Sequence, residues 1–268
     1  RDAQESRGLG DVYKRQLSSG VISLQSRAEP LIITNLRYYN WKQAPAEQEY
    51  DTTTDIVRLS AADQRKRGLV VSITADDFAA GDTVHYLSNH GIEGYFEAHK
   101  APSIIKEVEG KKSFSFDGHQ VFQSNFSLPA TLLDNAPYTL EAWILNDSIA
   151  ENECVADFTT SHDELEKIML VNGTEPRCGV INHYGWYEDA GYKDMKELTD
   201  KWQHIYICFD GRIEQVYING KLISEKDIQL LIKPSQYVTL GRNAEHNWPF
   251  TGYLHSLKLW DEYIPIKK

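Results

Sequence analysis

Asn182-His183-Tyr184-Gly185-Trp186-Tyr187 places three aromatic rings, an imidazole and an amide within six residues, next to a glycine. Sugar rings stack their C–H faces on such aromatics while amide, carboxylate and imidazole groups bond their hydroxyls, so the residue types suit a polar ring ligand. A second source of such groups is Tyr138–Leu145, YTLEAWIL, whose alternation sets Glu141 and Trp143 on one face and Leu140, Ala142 and Ile144 on the other. If the 182–187 segment lies over that face, Glu141, Trp143, Asn182, His183, Trp186 and Tyr187 form one binding site. Trp248, in the loop Asn247-Trp248-Pro249, is a further candidate contact, with a lid over the core as its alternative. The competing reading of Tyr184 and Trp186 is that they plug the edge of the fold, since aromatic side chains are more often packed than displayed.

Catalytic patterns are harder to find. Retaining glycoside hydrolysis needs two carboxylates about 5 Å apart, which on a strand means acidic residues spaced to one face. Glu151, Glu153 and Asp157 come nearest, but Cys154-Val155-Ala156 interrupts the spacing. Glu141 alone is half of an acid–base pair. Gln203 and His204 are adjacent and so point to opposite faces, which keeps them from acting as one pair. There is no His-Glu-x-x-His and no glycine-rich phosphate loop. Asp117 and Asp210 each precede a glycine, which turn geometry explains without an ion. Three glycosylation sequons begin at Asn125, Asn146 and Asn172.

The elements that must position these groups read as strands. Trp202–Gly220 alternates Ile205, Ile207 and Phe209 with His204, Tyr206 and Cys208, turns at Asp210-Gly211, resumes with Glu214, Val216 and Ile218 on one face, and turns again at Asn219-Gly220. Leu69–Ile73, Phe114–Phe116, Tyr237–Leu240, Phe250–Leu254 and Leu257–Trp260 supply further short strands; Asp163–Leu170 suggests one helical turn or two, and a short helix or linker suits Asp55–Gly68. The pattern predicts an all-β, two-sheet antiparallel sandwich.

The chain has 268 residues, 41% of them hydrophobic, and a formal net charge of -11. That charge argues against nucleic acid as a partner, because phosphate binding needs clustered Lys and Arg. No apolar run is long enough to span a membrane. Of the three cysteines, Cys208 falls mid-strand as a buried thiol; a Cys154–Cys178 disulfide is left open, and the spacings match no zinc pattern. Asp11–Gln16, DVYKRQ, is the translation of GAT GTG TAT AAG AGA CAG, a sequencing adapter, so residues 1–16 are expected to be an assembly artefact. Thr34–Asn40 aligns by residue type with His255–Asp261, so residues 17–68 are expected to hold the last strand of a preceding domain plus a linker, with two unrelated strands as the alternative. Residues 69–264 form the main domain and 265–268 begin an extension.

Taken in order, Phe116-Asp117-Gly118, Tyr138–Trp143, Trp202–Ile205, Phe209-Asp210-Gly211, Tyr217–Lys221, Leu240-Gly241 and Phe250–Leu254 resemble the laminin G-like, concanavalin A-like jelly-roll family. The resemblance runs from about Leu69 to Ile264 and implies two antiparallel sheets, one of them concave. It also implies a module of a secreted or surface protein, extracellular or periplasmic, that binds glycans or other proteins. Calcium is not supported: where the family often has an acidic residue in the final strand motif, this chain has His255-Ser256. The expected partners are a glycan or polysaccharide and neighbouring domains of the same chain. The expected function is non-catalytic carbohydrate binding or adhesion. A glycosidase or lyase of the same fold and a structural spacer are the alternatives.

Overall fold

The computed structural model describes residues 68–149, 153–159, 166, 168–173, 179–181, 199–243 and 248–266. Among them run sixteen strands: β1 (Leu69–Thr74), β2 (Thr83–Val84), β3 (Tyr86–Ser88), β4 (Tyr95–Ala98), β5 (Ser103–Val108), β6 (Lys111–Asp117), β7 (Phe122–Ser124) and β8 (Tyr138–Leu145). The chain continues through β9 (Glu153–Asp157), β10 (Met169–Gly173), β11 (Gly179–Ile181), β12 (Gln203–Phe209), β13 (Ile213–Ile218), β14 (Lys221–Asp227), β15 (Thr239–Leu240) and β16 (Thr251–Trp260). They form two antiparallel sheets, as the sequence predicts. The larger has the order β14-β13-β12-β8-β16-β6-β5-β2, with β1 also on β16; the smaller is β11-β10-β9-β15-β7-β4-β3.

The inner faces follow the period-2 pattern. Leu140, Ala142 and Ile144 of β8, Ile205, Ile207 and Phe209 of β12, and Leu254, Leu257 and Leu259 of β16 are buried against Leu87, Phe96, Phe122, Val155, Leu170 and Leu240 of the smaller sheet. Phe116 bridges the layers, its ring 6.4 Å from that of Phe122 and 5.4 Å from that of Phe250.

The strands of Trp202–Gly220 lie where the sequence places them, as β12 and β13. Asp210 Oδ1 accepts from the amides of Arg212 and Ile213, at 2.8 and 2.6 Å, and Gly211 takes φ 97°, so this aspartate makes a turn. Asp117 does the same, accepting from the His119 amide. Asn219 and Gly220 both have positive φ, as a two-residue hairpin turn requires, and that turn leads into β14, a strand the sequence reading stops short of. The Trp202 indole donates to the Val108 carbonyl at 3.0 Å, tying the start of β12 to the end of β5.

Three expectations are corrected. Phe250–Leu254 and Leu257–Trp260 are not separate strands: β16 runs unbroken, with a bulge at His255 between the pairs Leu254–Ile144 and Ser256–Trp143. Met169 and Leu170, read as the end of a helical turn, open β10, because pairing with Asp157 and Ala156 overrides a weak local preference. Tyr237 and Val238 precede β15, which is only Thr239–Leu240. The proposed repeat strand at 34–40, the residues read as adapter and Cys178 lie outside the described residues.

Candidate functional site

Glu141 and Trp143 do share the outer face of the larger sheet, but neighbouring side chains occupy both. His204, directly opposite Trp143 on β12, stacks on the indole with ring centroids 4.7 Å apart and 24° between planes. From β6, on the other side of β8, the Lys111 ammonium lies 4.6 Å from the indole centroid. The His204 ring donates from Nε2 to Glu141 Oε1 at 2.8 Å, and Lys258 Nζ approaches Glu141 Oε2 to 3.7 Å. A sugar could stack on Trp143 only after His204 or Lys111 moved. Asn182, His183, Trp186 and Tyr187 lie outside the described residues.

Trp248 belongs to a different surface. It packs on Cys154, Met169 and Val171, a cluster separate from the main core. Met169 and Val171 alternate with the core residue Leu170, so this cluster sits on the outer side of the smaller sheet. Trp248 and the Glu141–Trp143 pair are therefore on opposite faces of the sandwich and do not join into one site. The backbone confirms the placement of Trp248, whose carbonyl accepts from the Cys154 amide at 3.1 Å.

The carboxylates near this cluster serve the fold. Glu153 is fully buried; its Oε2 accepts from Asn146 Nδ2 and the Thr251 amide, and its Oε1 from Thr251 Oγ1, at 2.9, 3.0 and 2.7 Å. Asn146 Oδ1 in turn accepts from Asn172 Nδ2 at 3.0 Å, so two of the three sequon asparagines are locked in one buried network. Asp157 caps the Thr159 amide. Glu214 is buried on the core side of β13 and accepts from the Tyr138 hydroxyl at 2.8 Å. Burial, with the Glu214 charge second, raises the Tyr138 phenol well above its usual range.

What the sequence reading missed is the open half of the same outer face. Phe96 of β4 and Phe122 of β7 point into the core, so Tyr95, Glu97 and Gln123 point out. Strand pairing aligns Tyr86, Glu97 and Gln123 in one row across β3, β4 and β7. Tyr86 and Tyr95 are 56% and 40% exposed, and their rings meet edge to face at 5.8 Å. Beside them a cavity of about 210 Å³ is lined by Tyr95, Glu97, His99, Gln123, Ser124 and Asn125. The Tyr86 hydroxyl donates to Glu97 Oε1 at 2.9 Å, which holds the carboxylate in place and, with its charge, raises the Tyr86 phenol above its usual value. Asn125 Oδ1 accepts from the Tyr95 amide at 2.8 Å and fixes the other wall. The signal for this site was present in Tyr95-Phe96-Glu97-Ala98-His99, a short run alternating outward aromatic, acid and imidazole around an inward phenylalanine.

The row closes beyond Gln123. Its partner Thr239 is 6% exposed, and Asp157, next in the row, is 4% exposed. The groove thus opens at β3, the edge of the sheet, and ends at β15. Among the described residues, no group of three or more His, Cys, Asp or Glu side chains is placed to hold a metal ion, and no helix is long and apolar enough to cross a membrane.

Residues 118–264, more than half of the chain, match the laminin G-type profile of the concanavalin A-like lectin/glucanases superfamily, and the chain belongs to that superfamily. No curated protein matches the sequence. Among solved structures, the fold is similar to domain 4 of an extracellular arabinanase from Geobacillus stearothermophilus, in complex with arabinotriose. That match has TM-score 0.53 and 17% identity, covering 75% of this chain and 95% of that one. It is also similar to a sialidase of Trypanosoma rangeli, with TM-score 0.51 and 12% identity, over 74% of this chain but only 31% of the sialidase. At these identities the likeness is one of fold. The superfamily's name covers both lectins and glucanases.

Proposed function

We propose that this chain is a non-catalytic carbohydrate-binding module of a larger extracellular or surface protein, and that it binds through the groove on the outer face of the smaller sheet. The observation that carries this reading is the exposed Tyr86–Tyr95 pair beside a cavity lined by a carboxylate, an imidazole and two amides. Exposed tyrosines offer sugar C–H groups a flat apolar surface, and the polar groups suit hydroxyls that both donate and accept. Similarity to an arabinanase domain bound to arabinotriose is consistent with it.

Binding without turnover is favoured by the distribution of carboxylates. Glycoside hydrolysis takes two, one held as acid and one as base or nucleophile. Among the described residues, the groove lining offers Glu97 alone, while Glu153, Asp157 and Glu214 accept bonds that hold the fold together. On a glycan array the protein should retain at least one oligosaccharide, and Tyr86→Ala with Tyr95→Ala should weaken that binding about tenfold or more. Reducing-end assays on the same glycans should show no release. Release abolished by Glu97→Gln or Glu141→Gln would establish the enzymatic alternative. Loss of retention on Trp143→Ala with the tyrosine pair intact would move the site to the larger sheet.

A further inference from the structure

We infer that the groove selects the end of an uncharged glycan chain and discriminates against acidic sugars. This rests on the proposed carbohydrate-binding reading and adds to it the class and the length of ligand.

Charge supplies the first part. Among the described residues, the lining contains one carboxylate, Glu97, and no lysine or arginine. The Tyr86 hydroxyl donates to its Oε1 from the neighbouring strand at 2.9 Å, which favours a position over the row. Its other oxygen is left to accept from ligand hydroxyls, which is a charge-assisted bond and among the stronger kinds. A uronic or sialic carboxylate seated over the same row would meet a like charge. At a largely solvated site, two like charges about 4 Å apart cost on the order of tenfold in affinity. The chain's net charge of -11 acts in the same direction at longer range.

Shape supplies the second part. The outward row Tyr86–Glu97–Gln123 spans three strands, about 4.8 Å apart, before it meets the covered Thr239 and Asp157. The cavity of about 210 Å³ is smaller than the roughly 300–1,000 Å³ of sites for drug-sized ligands. A long polysaccharide laid across the strands would run into the covered half of the sheet. A chain end entering from the β3 edge would not.

The test pairs each neutral oligosaccharide retained on an array with its C6-oxidised uronic counterpart and titrates both by calorimetry, for lengths from one to six units. The expected result is at least tenfold tighter binding of the neutral form, an affinity that levels off by two or three units, and a neutral-to-acidic ratio that collapses toward one in Glu97→Gln. Glu97 is exposed, so that variant leaves the core intact. Equal or tighter binding of the oxidised forms, a ratio unchanged in Glu97→Gln, or affinity that climbs steadily to six units would each overturn this inference while leaving carbohydrate binding in place. Retention of no glycan, or retention indifferent to Tyr86→Ala with Tyr95→Ala, would overturn the binding reading itself and this inference with it.

Discussion

Two buried groups show how individual residues constrain this molecule. Cys208 is fully buried on the outer side of β12, and burial, helped by the charges of Glu214 and Asp210, pushes its thiol up to about 12 from an ordinary value of 9.0. The folded state therefore disfavours the thiolate. Its contribution to stability is complete below pH 9 and is lost as the pH rises from 9 toward 12. Cys208 should resist iodoacetamide at pH 8 in the native protein and react readily in urea, a difference that peptide mass spectrometry reads directly. Glu153 carries the opposite lesson, since an acid that looks catalytic by type is consumed by three donors. Replacing it with alanine should strip partners from Asn146 and Thr251 and cost about 3 kcal/mol in urea unfolding.

At the scale of elements, β16 is the strand on which the larger sheet depends. It pairs with β8 along one side, and on the other with β6 over its first half and β1 over its second. That arrangement needs close backbone approach at Gly252, where φ is +147° and an added Cβ would stand 2.5 Å from the Leu145 carbonyl oxygen. Gly252→Ala is expected to destabilise the protein by about 2–3 kcal/mol, visible as a lowered urea midpoint with unchanged slope. The bulge at His255 belongs to the same strand: it directs the imidazole to the Lys112 carbonyl, which accepts from Nδ1 at 2.8 Å, and lets Ser256 resume the register opposite Trp143. β3 and β4 show how little strand a site requires. Two pairs of residues in register, Tyr86–Glu97 and Ser88–Tyr95, suffice to present both tyrosines and the carboxylate.

For the molecule as a whole, the two outer faces differ in kind. On the larger sheet the aromatics are already engaged, Trp143 by His204 and Lys111 and Tyr253 by Lys106, whose ammonium lies 5.6 Å from the ring centroid. On the smaller sheet, half of the face is covered near Trp248 and half is open at Tyr86 and Tyr95. Glycosylation should report this asymmetry. Asn146 and Asn172 are fully buried, whereas Asn125 is exposed and lines the groove. Expression in a secretory host that modifies sequons should add a glycan at Asn125 alone, lost in Ser127→Ala, and the modified protein should bind glycans more weakly than the unmodified one. Intact-mass measurement followed by array binding checks both halves.

Much of the fold was legible because alternation and turn chemistry are local. Ile205, Ile207 and Phe209 against His204 and Tyr206, with Asp210-Gly211 and Asn219-Gly220 as punctuation, identify strands, faces and turns before any partner is known. The sequence by itself thus determined the two-sheet class, the inward residues and the superfamily. It also singled out Glu141 and Trp143 as neighbours, which they are. Only the tertiary structure decided which side chains remain available. His204 and Lys111 reach Trp143 from strands 61 residues downstream and 32 residues upstream (204 − 143 and 143 − 111), and nothing in β8 announces either. The groove likewise arises from strand pairing that sets Glu97 between Tyr86 and Gln123, residues separated in sequence and joined by register. Periodicity specifies a face; exposure on that face depends on what the rest of the chain lays across it.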